Sequence, residues 1–527
     1  MKYQVKVRCI SFKTLSLKDQ FQIMKSFYIA ASFGLISLIG FGQSLSSEQL
    51  NTLSKKYALQ SFPLLKEVLS IPNDAAYHDD IEKNVRWCEQ NFGERGFSTQ
   101  RLETATVPLL LAEKTVPNAT KTVLVYLQMD GQPVDTTRWF QKSPYQPVLK
   151  KQSENGDWEE LDWSKIDSYD PDWRVFARSA SDAKGPVAMF LSSMDALKEI
   201  KRTPNFNIKV ILDFEEELGS PQLPKTVLAH SEKLKADMLV IFDGPMHITN
   251  DPTLVFGARG IATIDLKVHG PIKPQHSGHY GNYAPNPALK LSRLLASMKD
   301  EEGKVVIPGF YDGIKIDAAT ERLLRAVPDD EQEIMERMQI AETDKVGSYY
   351  QESIQYPSLN IRGMQSGWID EKVRTIIPSW AKAEIDVRLV LESDAERLIS
   401  LIKQHIRQQG YFVANKEPTK EERLTHPKIA TFTHKVSYQS FRTDFNSEVG
   451  IWLRKAIEKA YGSPPIMERM AGGSIPISPF VVTLGIPAVS VPTVNRDNNQ
   501  HSPNENIRLG NYREGIKTMI AILTEKL

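Results

Sequence analysis

Five side chains of this 527-residue chain are of the types, and in the settings, that metal chemistry uses. Asp182 lies in Ser179-Ala180-Ser181-Asp182-Ala183-Lys184-Gly185-Pro186, just ahead of a helical pattern. Glu216 and Glu217 are adjacent in Asp213-Phe214-Glu215-Glu216-Glu217-Leu218-Gly219-Ser220, so in a loop one can ligate metal while the other moves protons. Asp243 follows the apolar run Met238–Phe242, and His501 sits in Asn499-Gln500-His501-Ser502-Pro503-Asn504-Glu505. Carboxylates with an imidazole suit zinc or manganese, and a carboxylate shared by two ions makes a co-catalytic pair. Each residue alone has a plainer reading. An acid at a strand end is usually a helix cap or a solvated loop, and a single histidine is usually not a ligand.

The elements that must position these residues are short apolar β-branched runs ending abruptly in polar residues. Thr122–Leu127 stops at Gln128-Met129-Asp130-Gly131, Ile208–Leu212 stops at Asp213, and Met238–Phe242 stops at Asp243. Ile486–Val491 precedes the segment that carries His501. Between them, Val187, Phe190, Leu191, Met194 and Leu197 recur at spacings of three and four, a helical period. Buried strands alternating with amphipathic helices predict an α/β fold, a mostly parallel sheet with helices on both faces. In such sheets ligands bind beyond the carboxyl ends of the strands, so one site assembled from distant segments is expected. From Gly260 to about Gln439 the pattern changes. Strands at Ile261–Val268, Ala381–Val390 and Ile429–Tyr438 alternate with helices at Pro287–Lys299 and Asp394–Gln409. The alternation in Ile261–His269 predicts a sheet with one exposed face, and the charged stretch Asp329–Lys345 a solvated helix or excursion. The expected organisation is a leader over 1–43, a catalytic domain over 44–258 and 441–527, and a smaller α+β lid and dimerisation domain over 259–440. The first sheet is expected to resume near Asp444.

With 65 basic and 65 acidic residues the formal charge is zero. That removes the long-range field a nonspecific nucleic-acid binder uses, so no nucleic-acid partner is expected. At 41% hydrophobic the chain has ample core, enough for several domains. Met24-Lys25, an apolar run of about 15 residues and the small residues Gly40 and Gly42 read as a secretory signal, with Met24 the natural start and cleavage after Gly42. An uncleaved leader would instead leave an N-terminal membrane anchor. Cleavage removes Cys9, and a lone Cys88 forms no internal disulfide. No nucleotide-binding glycine motif occurs, and Gly219-Ser220 lacks the first half of a nucleophile elbow.

Taken together, the ordered motifs Q-M-D, S-D-A-K-G-P, E-E-x-G-S, F-D, H-S-G, G-G-S-I-P and H-S-P-N-E resemble the di-metal exopeptidases. That family includes carnosinases, aminoacylases, glutamate carboxypeptidases and succinyl-diaminopimelate desuccinylase. The resemblance runs from about Leu65 to the C-terminus. The run Ile307–Asp312 and the long insert after it look most like the carnosinase-type dipeptidases. The resemblance implies two divalent ions, zinc or manganese, with Asp182 bridging them. Glu217 and His501 would complete one site, and Asp243 with position 128 the other. It implies Glu216 as the general base on the metal-held water, and Asp130 as the carboxylate behind the residue-128 ligand. His276 would stabilise the oxyanion, reaching across a homodimer, and Arg388, Ser474 and Gly473 would hold the substrate's terminal carboxylate. The family writes His-x-Asp where this chain has Gln128-Met129-Asp130. Gln128 could ligate through its oxygen while its amide donates to Asp130. His247 is a second candidate for that place, and Ala183 is a milder departure. Three readings stay open: a two-metal enzyme with one weak site, a one-metal enzyme, or an inactive peptide-binding relative. The expected activity is an exported exopeptidase for dipeptides or short peptides. An N-acyl amino acid deacylase would use the same site.

Overall fold

The computed structural model describes residues 45–527, so the leader, Met24, the cleavage after Gly42 and Cys9 lie outside the described residues. A large sheet forms around the strand Thr122–Gln128. It pairs in parallel with Asn207–Asp213 on one side and Met238–Ile241 on the other, and Ala488–Ser490 continues the parallel set. Outside this centre lie Leu109–Lys114 and Ser98–Leu102 at one edge, and Thr253–Val255 and Ile466–Glu468 at the other, giving eight strands in all. Three of the outer pairings are antiparallel. The expected strand ends hold closely. The last apolar strand is shorter than its run, covering Ala488–Ser490 alone. After the second sheet this one resumes at Ile466, because Asp444 leads instead into the helix Glu448–Tyr461.

Both faces of the central strand are covered, which is why it is apolar throughout. Leu124 and Tyr126 point one way, into a core with Val227 and Phe480 from the short helices Leu223–Ala229 and Ser478–Leu484. Helix Lys184–Glu199 packs toward the opposite face and is itself gripped by helices Ser47–Leu69 and Leu509–Thr524. Val187, Phe190, Leu191 and Leu197 are all buried there, and so is the free Cys88. Among the described residues no helix is long and apolar enough to cross a membrane.

The second sheet draws all five strands from Gly260 to Tyr438, in the order Ser358–Gln365, Trp380–Leu389, Gly260–His269, Ile429–Tyr438 and Phe412–Ala414. In Gly260–His269, Ala262, Ile264, Leu266 and Val268 face helices Pro287–Ala296 and Ala395–Gln408, through Leu291, Leu294, Leu398 and Ile402. Asp265 stays exposed on the other side, as the alternation requires. Both helices end slightly short of their expected limits, and Asp394 serves as an N-cap that accepts from Arg397 N–H. The charged stretch contains a helix, Glu331–Met338, that buries none of its residues.

The chain enters and leaves this second sheet through one narrow contact. Gly257–Ala258 and Phe441–Arg442 pair as a two-stranded ribbon, so the outgoing and returning segments lie against each other. Side chains would not fit. A Cβ on Gly257 would lie 2.5 Å from Phe441 O, and one on Gly260 would lie 2.6 Å from both Ser440 N and Tyr438 O. Gly260→Val should therefore destabilise the protein by roughly 1–3 kcal/mol, the usual cost of forcing atoms into a packed site. Equilibrium denaturation of the two proteins measures this, and an unchanged midpoint would mean the crossing is looser than its backbone distances state.

Candidate metal centre

Asp182, Glu217 and His501 converge at the carboxyl ends of the large sheet, with ligand-capable atoms all within 4.8 Å of one another. His501 Nε2 lies 3.0 Å from Asp182 Oδ2 and 3.3 Å from Glu217 Oε2. Glu216 and Glu217 occupy a single 3-10 turn, Glu216–Leu218, that follows the strand Asn207–Asp213 and is closed by Gly219 at φ +82°. The turn is held from both sides. Glu217 N–H donates to Asp130 Oδ2 at 2.9 Å, and Gln132 Nε2 donates to Glu217 Oε2 at 2.7 Å. The Tyr438 hydroxyl, from the second sheet, donates to Gly219 O at 2.8 Å. Asp213 receives hydrogen bonds from Tyr126, Ser220 and the Glu215 N–H, which fixes the strand end.

Gln128 departs from the expected arrangement. Its amide nitrogen donates to Asp182 Oδ1 at 2.6 Å, not to Asp130. Asp130 is instead turned toward the Glu216-Glu217 backbone, which needs an acceptor there. The consequence is an orphan: Gln128 is buried, and its Oε1 has no hydrogen-bond partner. A buried amide oxygen without a donor is costly unless something electropositive meets it. His247 is not a ligand candidate in this fold. It is buried, with Nε2 3.1 Å from Asp329 and Nδ1 3.1 Å from Thr249.

The electrostatics tell the same story. Burial raises Glu216 well above the ordinary carboxyl range, and the charges of Asp243, Asp182, Glu217 and Asp130 add to it. Glu217 is pushed up to about 8 by burial and Asp182, and Asp243 to about 7 by the same two causes. Asp130 is raised by burial and by Asp213. His501 goes up to about 9 through its hydrogen bond to Asp182, against the opposing effect of burial. So many carboxylates in one place lack counter-charge, and divalent ions would supply it. The orphaned amide oxygen and the unbalanced acidic cluster both fit metal binding.

Several residues in and around the site were not legible from their motifs. Glu505 is fully buried, and its carboxylate accepts four hydrogen bonds: Ser181 N–H at 3.0 Å, Asp182 N–H at 2.9 Å, Ser179 N–H at 2.9 Å and Arg178 Nη1 at 2.8 Å. It ties the Asp182 loop to the His501 loop. The pairing of Asn506–Arg508 with Arg174–Phe176 carries the same junction into a four-stranded sheet. Farther along, Arg388 Nη1 donates to Ser474 Oγ at 2.8 Å, so two of the residues expected at the substrate carboxylate do meet. Buried Arg259 donates its backbone N–H to Gly473 O at 3.2 Å, while its guanidinium donates to Tyr356 O at 2.9 Å and Ser358 Oγ at 3.1 Å and is pushed down to about 10 by burial and by Arg388. The only sequence signal for Arg259 is its place in Gly257-Ala258-Arg259-Gly260, between the crossing glycines. His276 is exposed and caps a turn, with Nδ1 accepting from Gly278 N–H at 3.0 Å. It makes no hydrogen bond or ion pair with the acidic cluster.

A parallel sheet that gathers carboxylates and an imidazole at its strand ends has the donor set of a metal-dependent hydrolase. The chain belongs to the peptidase family M20/M25/M40, whose model matches residues 124–525, and it is accordingly a metallopeptidase. It is 27% identical over 430 residues to the Cys-Gly metallodipeptidase of Schizosaccharomyces pombe, covering 79% of this chain and 82% of that one. It is 26% identical over 428 residues to the human Beta-Ala-His dipeptidase, covering 79% and 77%. Its fold matches an M20 family metallo-carboxypeptidase from Sulfolobus solfataricus with a TM-score of 0.71 at 26% identity, over 88% of this chain and 98% of the other. It matches human carnosine dipeptidase 1 with a TM-score of 0.70 at 21% identity, over 92% and 98%.

The raised groups fix the sign of a pH effect. Glu217 and Asp243 hold protons more tightly when folded, at about 8 and 7 against ordinary values of 4.5 and 3.8. Their contribution is full below the ordinary values and is lost as pH rises through the raised ones. His501, at about 9 against 6.5, acts in the same direction. Metal-stripped protein should therefore lose thermal stability from about pH 5 to pH 9. Saturating zinc or manganese should flatten or reverse the trend, because metal needs the deprotonated ligands. Melting temperatures across that range, with and without metal, provide the check. A stripped protein that grows more stable with rising pH would contradict the cluster's charge state.

Proposed function

We propose that this chain is a two-metal exopeptidase that hydrolyses dipeptides or very short peptides. The observation that carries the reading is the convergence of Asp182, Glu217 and His501 with Glu216 in the same turn as Glu217. The two similar dipeptidases favour a dipeptide over a longer substrate. Asp182, Glu217 and His501 would hold one divalent ion, and Asp182, Asp243 and the Gln128 oxygen the other. Those ions, zinc or manganese, would supply Lewis-acid polarisation of the scissile carbonyl and a more acidic water. Zinc prefers imidazole to an amide oxygen, so the Gln128 side is the weaker for zinc and the better for manganese.

Glu216 takes the proton from the attacking water and delivers it to the leaving amine. A base works best with its pKa near the operating pH, and burial among carboxylates raises Glu216 toward that range while nearby dications pull it back. Asp130 keeps the turn in place by accepting from Glu217 N–H. Arg388 and Ser474, with Gly473 beside them, take the substrate's terminal carboxylate, for which a planar guanidinium is suited. His276, exposed on its turn, would complete the oxyanion site of a second copy in a homodimer formed through the segment 259–440. Export to the periplasm or beyond is proposed from the N-terminal residues alone.

Glu216→Gln should lower kcat by roughly 10²–10⁴ while metal content and melting temperature stay unchanged. Near-normal turnover of a dipeptide panel would remove the base assignment. N-acyl amino acids run alongside the dipeptides decide between peptidase and deacylase. Elemental analysis should give close to two metals per chain, and Gln128→Leu should bring that toward one. The same stoichiometry and affinity in Gln128→Leu would mean that its oxygen is not a ligand.

A further inference from the structure

A cavity of about 250 Å3 is lined in part by Glu468, Arg496, Arg337 and Tyr350. It is smaller than the roughly 300–1,000 Å3 that drug-sized ligands occupy. Its wall is contributed by His247, which follows Asp243 by four residues, and by Gly472, which precedes Gly473-Ser474. Asp329 in that wall is already satisfied, accepting from Gln351 Nε2 at 2.8 Å and lying 3.1 Å from His247 Nε2.

Four of the other polar groups have no partner among the described residues: Arg337 and Arg496 are exposed to solvent, Tyr350 is 36% exposed and Glu468 is partly buried. Among the described residues, the side chains of Glu468, Arg496 and Arg337 make no hydrogen bond or ion pair, and the Tyr350 hydroxyl makes none either. Glu468 is half-buried, and burial raises its pKa, with the charges of His247 and Arg496 opposing. Arg496 is thus close enough to be felt by Glu468 without pairing with it. Glu468 on one side and Arg496 and Arg337 on the other leave charges of both signs without a protein partner, so a simple anion or a simple cation meets attraction at one side and repulsion at the other. A small ligand carrying both charges meets each with its opposite. Ile334, Ile354 and Met338 add an apolar side to the same cavity.

We propose that this cavity binds a free α-amino acid with an aliphatic side chain, Glu468 receiving the ammonium group and Arg496 the carboxylate. That such an amino acid is a product of the chain's own hydrolysis rests on the dipeptidase reading; the binding chemistry does not. Occupancy would bear on Gly473-Ser474 and on the segment leading to His501, so the pocket would report product level to the reactive centre.

Calorimetric titration of the metal-loaded protein with L-leucine, L-leucinamide and N-acetyl-L-leucine tests this without any turnover. Leucine should bind saturably, and the two blocked analogues, each lacking one charge, should bind roughly tenfold more weakly or worse. Glu468→Gln and Arg496→Met should each weaken leucine by the same order, and Glu468→Asp should keep measurable binding. The analogue series on the unaltered protein decides the matter even if a variant folds poorly. No leucine binding, equal binding of the blocked analogues, or loss of binding in Arg388→Ala with retention in Glu468→Gln would overturn the proposal. Leucine binding in a protein that cleaves no dipeptide would uphold the pocket while removing the dipeptidase reading.

Discussion

The site depends on one buried carboxylate. Glu505 accepts from Arg178 and from three backbone N–H groups of the turn Ser179–Asp182. Such a turn is a small concave nest of donors, and an anion in it fixes the backbone that carries Asp182. Glu505 lies four residues after His501, so the same group sets the spacing between Asp182 and His501, more than 300 positions apart in sequence. Neither it nor Arg178 is solvent-accessible to more than a few per cent. Leaving one partner of such a pair unmatched typically costs about 3–5 kcal/mol, so the link is difficult to break piecemeal.

Around that anchor the structure concentrates negative charge that the fold alone does not neutralise. Asp130, Asp182, Glu216, Glu217 and Asp243 face one region, and the basic group within it, His501, is half-exposed. Hydrogen bonds orient the carboxylates but do not remove their mutual repulsion: Gln132 holds Glu217, Gln128 holds Asp182, and the Gly244 N–H holds Asp243. The parallel strands make this arrangement affordable in conformational terms, since Gln128 and Asp213 are register partners and their loops leave the sheet side by side. A site of this kind is preorganised for ions and poorly stable without them.

The second sheet is tied to this centre at few points. Tyr438 reaches Gly219, Arg388 reaches Ser474, and the ribbon at Gly257–Ala258 and Phe441–Arg442 carries the chain across. Glycine is needed there because two backbones approach too closely for a Cβ. Tyr438 of the second sheet thereby braces the turn that carries Glu216 and Glu217, and Arg388 meets a residue that lies outside that sheet.

Much of this was readable in the residues themselves. The apolar runs at Thr122–Leu127, Ile208–Leu212 and Met238–Phe242 specified buried parallel strands, because a strand covered on both faces has no polar alternation. Their polar ends marked where ligands would gather. The alternation in Ile261–His269 specified a sheet with one wet face, and the charge of Asp329–Lys345 a solvated helix or excursion, of which Glu331–Met338 is helical. What the sequence by itself could not settle was the partner of each polar group. Gln128 was free to donate to Asp130 or to Asp182, and only the packed geometry chose Asp182. Glu505 looked like one acid among many, and only the docking of Asn506–Arg508 against Arg174–Phe176 turned it into the anchor of the site. Periodicity encodes which face of an element is buried. Hydrogen-bond partners across hundreds of residues depend on distances that exist only after those faces have met.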